Sequence, residues 1–84
     1  MHVIAIHSIS DPERFWAGSP DLPDGTTLSS ALPNTDGTRG VCIWESDSVD
    51  TVQQIVDGAT GEISSNEFYE VNAQNAQEIG RAHV

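Results

Sequence analysis

Taken by its alternation of apolar and polar positions, the chain opens on "HVIAIHSI", a short run rich in β-branched residues that predicts a strand from about residue 2 to residue 9. "SDPERFWAG" then changes the period. Ser10 as N-cap, Pro12 in the first turn, Glu13 at the capping-box position and Gly18 as a stop predict a short helix carrying Phe15 and Trp16. In "SPDLPDG", Pro20, Pro23 and the Asp24-Gly25 pair mark a loop. "TTLSSALP" is rich in hydroxyl residues and closed by Pro33, which predicts a weaker strand suited to a sheet edge. "NTDG" supplies a hairpin turn and "TRGVCIWE" the return strand. "SDSVDTVQQIVDG" places Val49, Val52, Ile55 and Val56 on one helical face, with Ser46 or Asp47 as N-cap and Gly58 at its end. "ATGEISS" reads as loop and "NEFYEVN" as the last strand. The remainder, 73–84, is a polar tail without the apolar spacing that anchors a core.

Strand, helix, strand, strand, helix, strand is the split β-α-β order, so the fold class expected over 1–72 is α+β, a ferredoxin-like sandwich with a four-stranded antiparallel sheet. In that topology the first and third strands are central and the other two lie at the edges. "VIAI" and "VCIW" are apolar on both faces, as central strands require. The helices cover one face only, and a second copy of the chain is the simplest cover for the other. Side chains two apart on a strand share a face. The bulky pairs Ile4 with Ile6 and Val41 with Ile43 are expected beneath the helices. Val3, Ala5 and His7, with Cys42 and Trp44, are then expected on the opposite face, toward the twin molecule. On the last strand either Phe68 with Glu70 or Tyr69 with Val71 joins them, and the first pair is expected.

Composition narrows the partners. A chain of 84 residues with 37% hydrophobic content has room for one core and leaves much apolar surface wet, which again favours a homodimer. The single cysteine excludes an intrachain disulfide and a C-x-x-C motif, and fits a reducing, cytoplasmic setting. The N-terminus has neither a basic region nor a long apolar run, so no signal peptide or membrane span is expected there. Thirteen acids against three arginines, with a net charge of −10, repel phosphate backbones and anionic lipid, so neither nucleic acid nor membrane is an expected partner. No G-x-G-x-x-G or Walker pattern occurs, and no serine sits in a nucleophile elbow.

This order of elements resembles the dimeric α/β-barrel superfamily, whose small members stack two ferredoxin-like sheets around an enclosed cavity. More narrowly, "IHS" at the end of the first strand, "CIWESDSVDTV" and "FYEV" look similar to a group of small actinobacterial ferredoxin-like proteins, some of which bind nickel. That resemblance implies His7 and Cys42 as metal ligands.

On this reading His7, Cys42, Trp44 and Glu70 converge on one interior. His7 with Glu70 forms a candidate catalytic pair, a base near neutrality and an orienting carboxylate. Trp44, Cys42, Phe68, Val3 and Ala5 form a ligand-binding wall for an apolar small molecule. Cys42 is expected as an inert buried thiol, because the chain has no lysine to favour thiolate. The function expected is a small-molecule-binding dimer, with a cofactor-independent isomerase, cyclase or monooxygenase as its enzymatic form. Whether it is an enzyme is left open. The alternative is a metal-binding dimer, with nickel, zinc or copper held by His7 and Cys42, or a purely structural one. His2 stands on the other strand face from His7, and His83 in the tail reads as a chance residue.

Overall fold

The computed structural model describes residues 1–77 of the chain; the later part of the tail, with His83, lies outside the described residues. The elements are β1 (His2–Ile9), α1 (Pro12–Ala17), β2 (Thr27–Pro33), β3 (Arg39–Glu45), α2 (Val49–Thr60) and β4 (Ser64–Glu70). They form one four-stranded sheet in the order β2-β3-β1-β4, with antiparallel pairing throughout. The ferredoxin-like α+β arrangement is therefore present, with β1 and β3 central and the hydroxyl-rich β2 at an edge. None of the helices among the described residues is long and apolar enough to cross a membrane.

Local chemistry explains the ends of the elements. Pro12 opens α1 without forfeiting a hydrogen bond, and Asp11 caps it by accepting from the Arg14 amide at 3.2 Å. Asp11 thus takes the role expected of Ser10, whose hydroxyl instead donates to the Ile63 carbonyl at 3.1 Å. Ser48, rather than Ser46 or Asp47, caps α2 by accepting from the Thr51 amide at 3.1 Å. The buried Ser46 shares a 3.0 Å hydrogen bond with Thr26. Gly58 does not stop α2, which continues to Thr60 with Gly61 as its C-cap. A single glycine costs a helix about 1 kcal/mol, and one more turn lets Thr60 bond the Val56 carbonyl at 2.9 Å. In the hairpin between β2 and β3, Gly37 supplies the positive φ of 77°.

The largest departure from expectation concerns the two faces of the sheet. Val3, Ala5, Cys42 and Trp44 form one buried cluster with Val52 and Val56 of α2, and Trp16, Val49, Ile55 and Phe68 pack on it. The ring of His7 lies 4.9 Å from that of Phe15 on α1, centre to centre. These side chains look under the helices and not away from them. Ile4, Ile6, Val41 and Ile43 occupy the open face, where they are half-buried. Size complementarity accounts for the inversion. Trp44, Phe15, Trp16 and Phe68 are the bulky groups of the helical side, and they need small neighbours. Ala5, Cys42 and Gly40 provide them: a Cβ at Gly40 would lie 2.7 Å from the Trp16 ring. Trp16 is held there by donating from its indole nitrogen to the Gly37 carbonyl at 2.8 Å. A glycine two residues before Cys42 thus marks the side on which a large ring lies flat against β3.

Candidate functional site

Between the sheet and the two helices lies a pocket of about 380 Å³, within the size range of small-molecule sites. His7, Cys42 and Trp44 line it from the central strands, Leu28 and Ala31 from β2, and Phe15 and Trp16 from α1. Arg14 stands at its rim, on the exposed side of α1. Three of the residues expected to converge therefore do so. Their pocket lies against the chain's own helices, however, and not against a second sheet.

His7 is 1% exposed and is the largest fully buried side chain among the described residues. Its Nδ1 lies 2.6 Å from Asn66 Oδ1, and Asn66 Nδ2 donates in turn to Asp57 Oδ1 on α2 at 3.0 Å. The register makes this contact, since His7 of β1 stands directly opposite Asn66 of β4. Burial dominates the titration of the ring and lowers its pKa below the ordinary 6.5, with the hydrogen bond to Asn66 and the charge of Asp57 opposing it. The imidazole is thus neutral at pH 7. It can accept a proton or a hydrogen bond without first losing one.

Glu70 does not join His7. It pairs with Val3, four residues along β1, which at strand rise places it roughly 13 Å from the His7 position, and it is exposed. The expected His7 and Glu70 dyad is replaced by the chain from His7 through Asn66 to Asp57. Phe68 pairs with Ala5 and packs against the core from the same side as His7, while Tyr69 is 51% exposed on the other face. The expected choice between those two parities is the one observed. Val3, Ala5 and Phe68 support the sheet beneath the pocket, whereas Cys42 and Trp44 reach it.

Burial pushes the Cys42 thiol up to about 11, so it is protonated and poorly nucleophilic at neutral pH. To ligate a metal the Cys42 thiol would have to lose its proton, and His7 would have to bind through Nε2, since Nδ1 is engaged by Asn66. Among the described residues no three His, Cys, Asp or Glu side chains gather as a metal set. His7 and Cys42 are thus a two-donor pair among the described residues, short of the three or four protein ligands of a zinc-type centre. One polar group in the wall is unusual: the indole nitrogen of Trp44, 3% exposed, has no hydrogen-bond partner among the described residues. A buried N–H left unpaired costs about 1–3 kcal/mol.

Asn66, Asp57, Phe15 and Trp16 are the site residues that reading the sequence missed. Once Phe68 is placed facing inward, Asn66 follows by parity. The missing step is the register that sets Asn66, and not Glu70, opposite His7. Compared with family models, curated proteins and solved structures, the chain returns no match, so its likeness to the ferredoxin-like fold rests on topology.

Proposed function

We propose that this chain binds a flat, predominantly apolar small molecule in the pocket between sheet and helices, with the neutral His7 as polar handle. One observation carries the reading: a pocket walled by Phe15, Trp16 and Trp44 has a buried, uncharged imidazole in its lining. Rings supply stacking area, and a single polar group fixes orientation. A neutral base in an apolar pocket also suits cofactor-independent proton transfer of the isomerase or cyclase type, with binding as its first requirement.

The proposal includes a homodimer through the open face, in the manner of a dimeric α/β barrel. Ile4, Ile6, Val41 and Ile43 form a contiguous apolar patch there, extended by the exposed Leu32 and Tyr69. Large β-branched residues on an uncovered central sheet are what a second sheet would bury.

Titration with 2-naphthol, followed by tryptophan fluorescence, tests the binding claim. Saturable quenching is expected, weakened about tenfold in His7→Phe, which keeps a ring and loses one hydrogen bond. No saturation, or binding indifferent to His7→Phe and abolished by Ile6→Ala on the open face, contradicts it.

A further inference from the structure

Asp57, Asn66 and His7 form a chain of hydrogen bonds whose direction is set at one end. A carboxylate only accepts, so the Asn66 group facing Asp57 must be its NH₂. The amide oxygen of Asn66 is thereby turned to His7, and an oxygen only accepts. The hydrogen between Asn66 and His7 must then belong to Nδ1 of the ring. Because the buried ring is neutral, it carries a single N–H, and Nε2 is left with a lone pair and no hydrogen-bond partner among the described residues. On the side of His7 away from Asn66, β3 places Gly40 directly opposite it, with Cys42 of the pocket wall two residues along the same strand.

From this geometry we infer that Asn66 and Asp57 are positioning residues that lock His7 as the Nδ1–H tautomer, and that the molecule held in the pocket is a hydrogen-bond donor, an uncharged ring system bearing a hydroxyl or N–H group. The inference rests on the pocket reading above and narrows the class of ligand. An ether or hydrocarbon of the same shape leaves the Nε2 lone pair unmatched. A carboxylate meets that lone pair with its own, and Arg14, the cation among the lining residues, is exposed at the rim, where water screens it. A phenol or an indole satisfies it. Neither Asn66 nor Asp57 lines the pocket, so their effect on a ligand passes through His7.

Long-range proton–nitrogen correlation spectra of the histidine rings in ligand-free protein report the tautomer directly. Wild type is expected to show His7 protonated at Nδ1. Asn66→Ala is expected to release the ring toward the Nε2–H form, while the double variant Asn66→Asp with Asp57→Asn, in which a carboxylate still accepts from Nδ1 and an amide replaces the carboxylate facing it, retains the original one when read at a pH high enough to keep the ring neutral. A merely structural role for Asn66 does not produce that split. Nε2–H in wild type, or an unchanged tautomer in folded Asn66→Ala, overturns the lock. Binding is then compared for 2-naphthol, 2-methoxynaphthalene and naphthalene, the last separating loss of the donor from added bulk. At least about tenfold preference for 2-naphthol over both is expected, the equivalent of one hydrogen bond of about 1.4 kcal/mol. In Asn66→Ala the preference shrinks. Equal affinities overturn the donor requirement. If none of the three binds while the tautomer is as expected, the pocket reading fails and the lock stands.

Discussion

Trp44→Ala is expected to cost about 3–5 kcal/mol of folding free energy, the largest single-residue effect in this chain. The ring is 3% exposed, sits on central strand β3 opposite Val3 of β1 and Leu28 of β2, and belongs to the cluster that ties the sheet to α2. Its removal forfeits the transfer of a large apolar surface and leaves a void that its neighbours fill only in part. The unpaired indole nitrogen offsets some of this, because alanine has no N–H to bury without a partner. Domains have a total stability of about 5–15 kcal/mol, and a short chain falls at the low end, so the variant loses most of its folded population. Urea unfolding followed by far-UV circular dichroism measures it. Leu22→Ala is the control: that side chain is 38% exposed in the loop before β2, away from the open face, and its loss costs about 1 kcal/mol or less. Comparable costs for the two variants would mean that Trp44 is not in the core.

The second large effect is on assembly. Ile43→Lys places a charge at the middle of the open face, opposite Ile4 of β1 and Ser30 of β2. In a two-fold dimer the substitution enters the interface twice. Losing burial of two isoleucine side chains at about 1.5–2 kcal/mol each weakens the dimer by roughly 100-fold to 1,000-fold, before any cost of burying the ammonium groups. Sedimentation over a range of micromolar concentrations is expected to show a dimer in wild type and a folded monomer in Ile43→Lys. Salt is expected to tighten the wild-type dimer, because two copies of net charge −10 repel and Glu45 and Glu67 stand on the same face as the patch. A wild-type monomer at these concentrations would contradict the assembly, while leaving the pocket within each subunit as it is.

The two effects draw on opposite faces of one sheet, and it is the faces that were hardest to read in the sequence. Element order was legible, because "HVIAIHSI" and "VCIWE" have strand composition and α2 has a helical stripe. The edge position of β2 was legible from Pro33 and its hydroxyl residues. Which residues share a face was legible too, since alternation alone groups His7 with Val3 and Ala5, and Cys42 with Trp44. Which group looks under the helices was not, because both faces of a central strand are apolar and alternation has no sign. Choosing the bulky aliphatic pairs for the helical side overlooked the aromatic rings of α1. Phe15 and Trp16 already fill that space, and they require alanine, cysteine and glycine opposite them. Gly40 carried the information, but only once the Trp16 ring is known to lie on it. The expected pairing of His7 with Glu70 failed for a related reason. Parity admits Asn66, Phe68 and Glu70 equally, and only the register of β4 against β1 chooses Asn66.

That inversion also separates binding from assembly, two roles that strand alternation alone places on one surface. The face with His7, Cys42 and Trp44 is covered by the chain's own helices, so the pocket needs no partner to exist. The open face carries the residues suited to a partner and none of the pocket's polar groups. Binding and assembly are therefore expected to respond to different substitutions.

The most direct measurement is a nuclear Overhauser spectrum of the ligand-free protein, read for the neighbours of the His7 ring. Cross-peaks between His7 and Phe15 are expected, whose ring centres are 4.9 Å apart, together with contacts from Trp44 to the methyl groups of the α2 valines. Absence of the His7 to Phe15 contact, with Ile4, Ile6 or Ile43 touching Val52 and Val56 instead, would turn the sheet over and remove the pocket on which the functional reading stands.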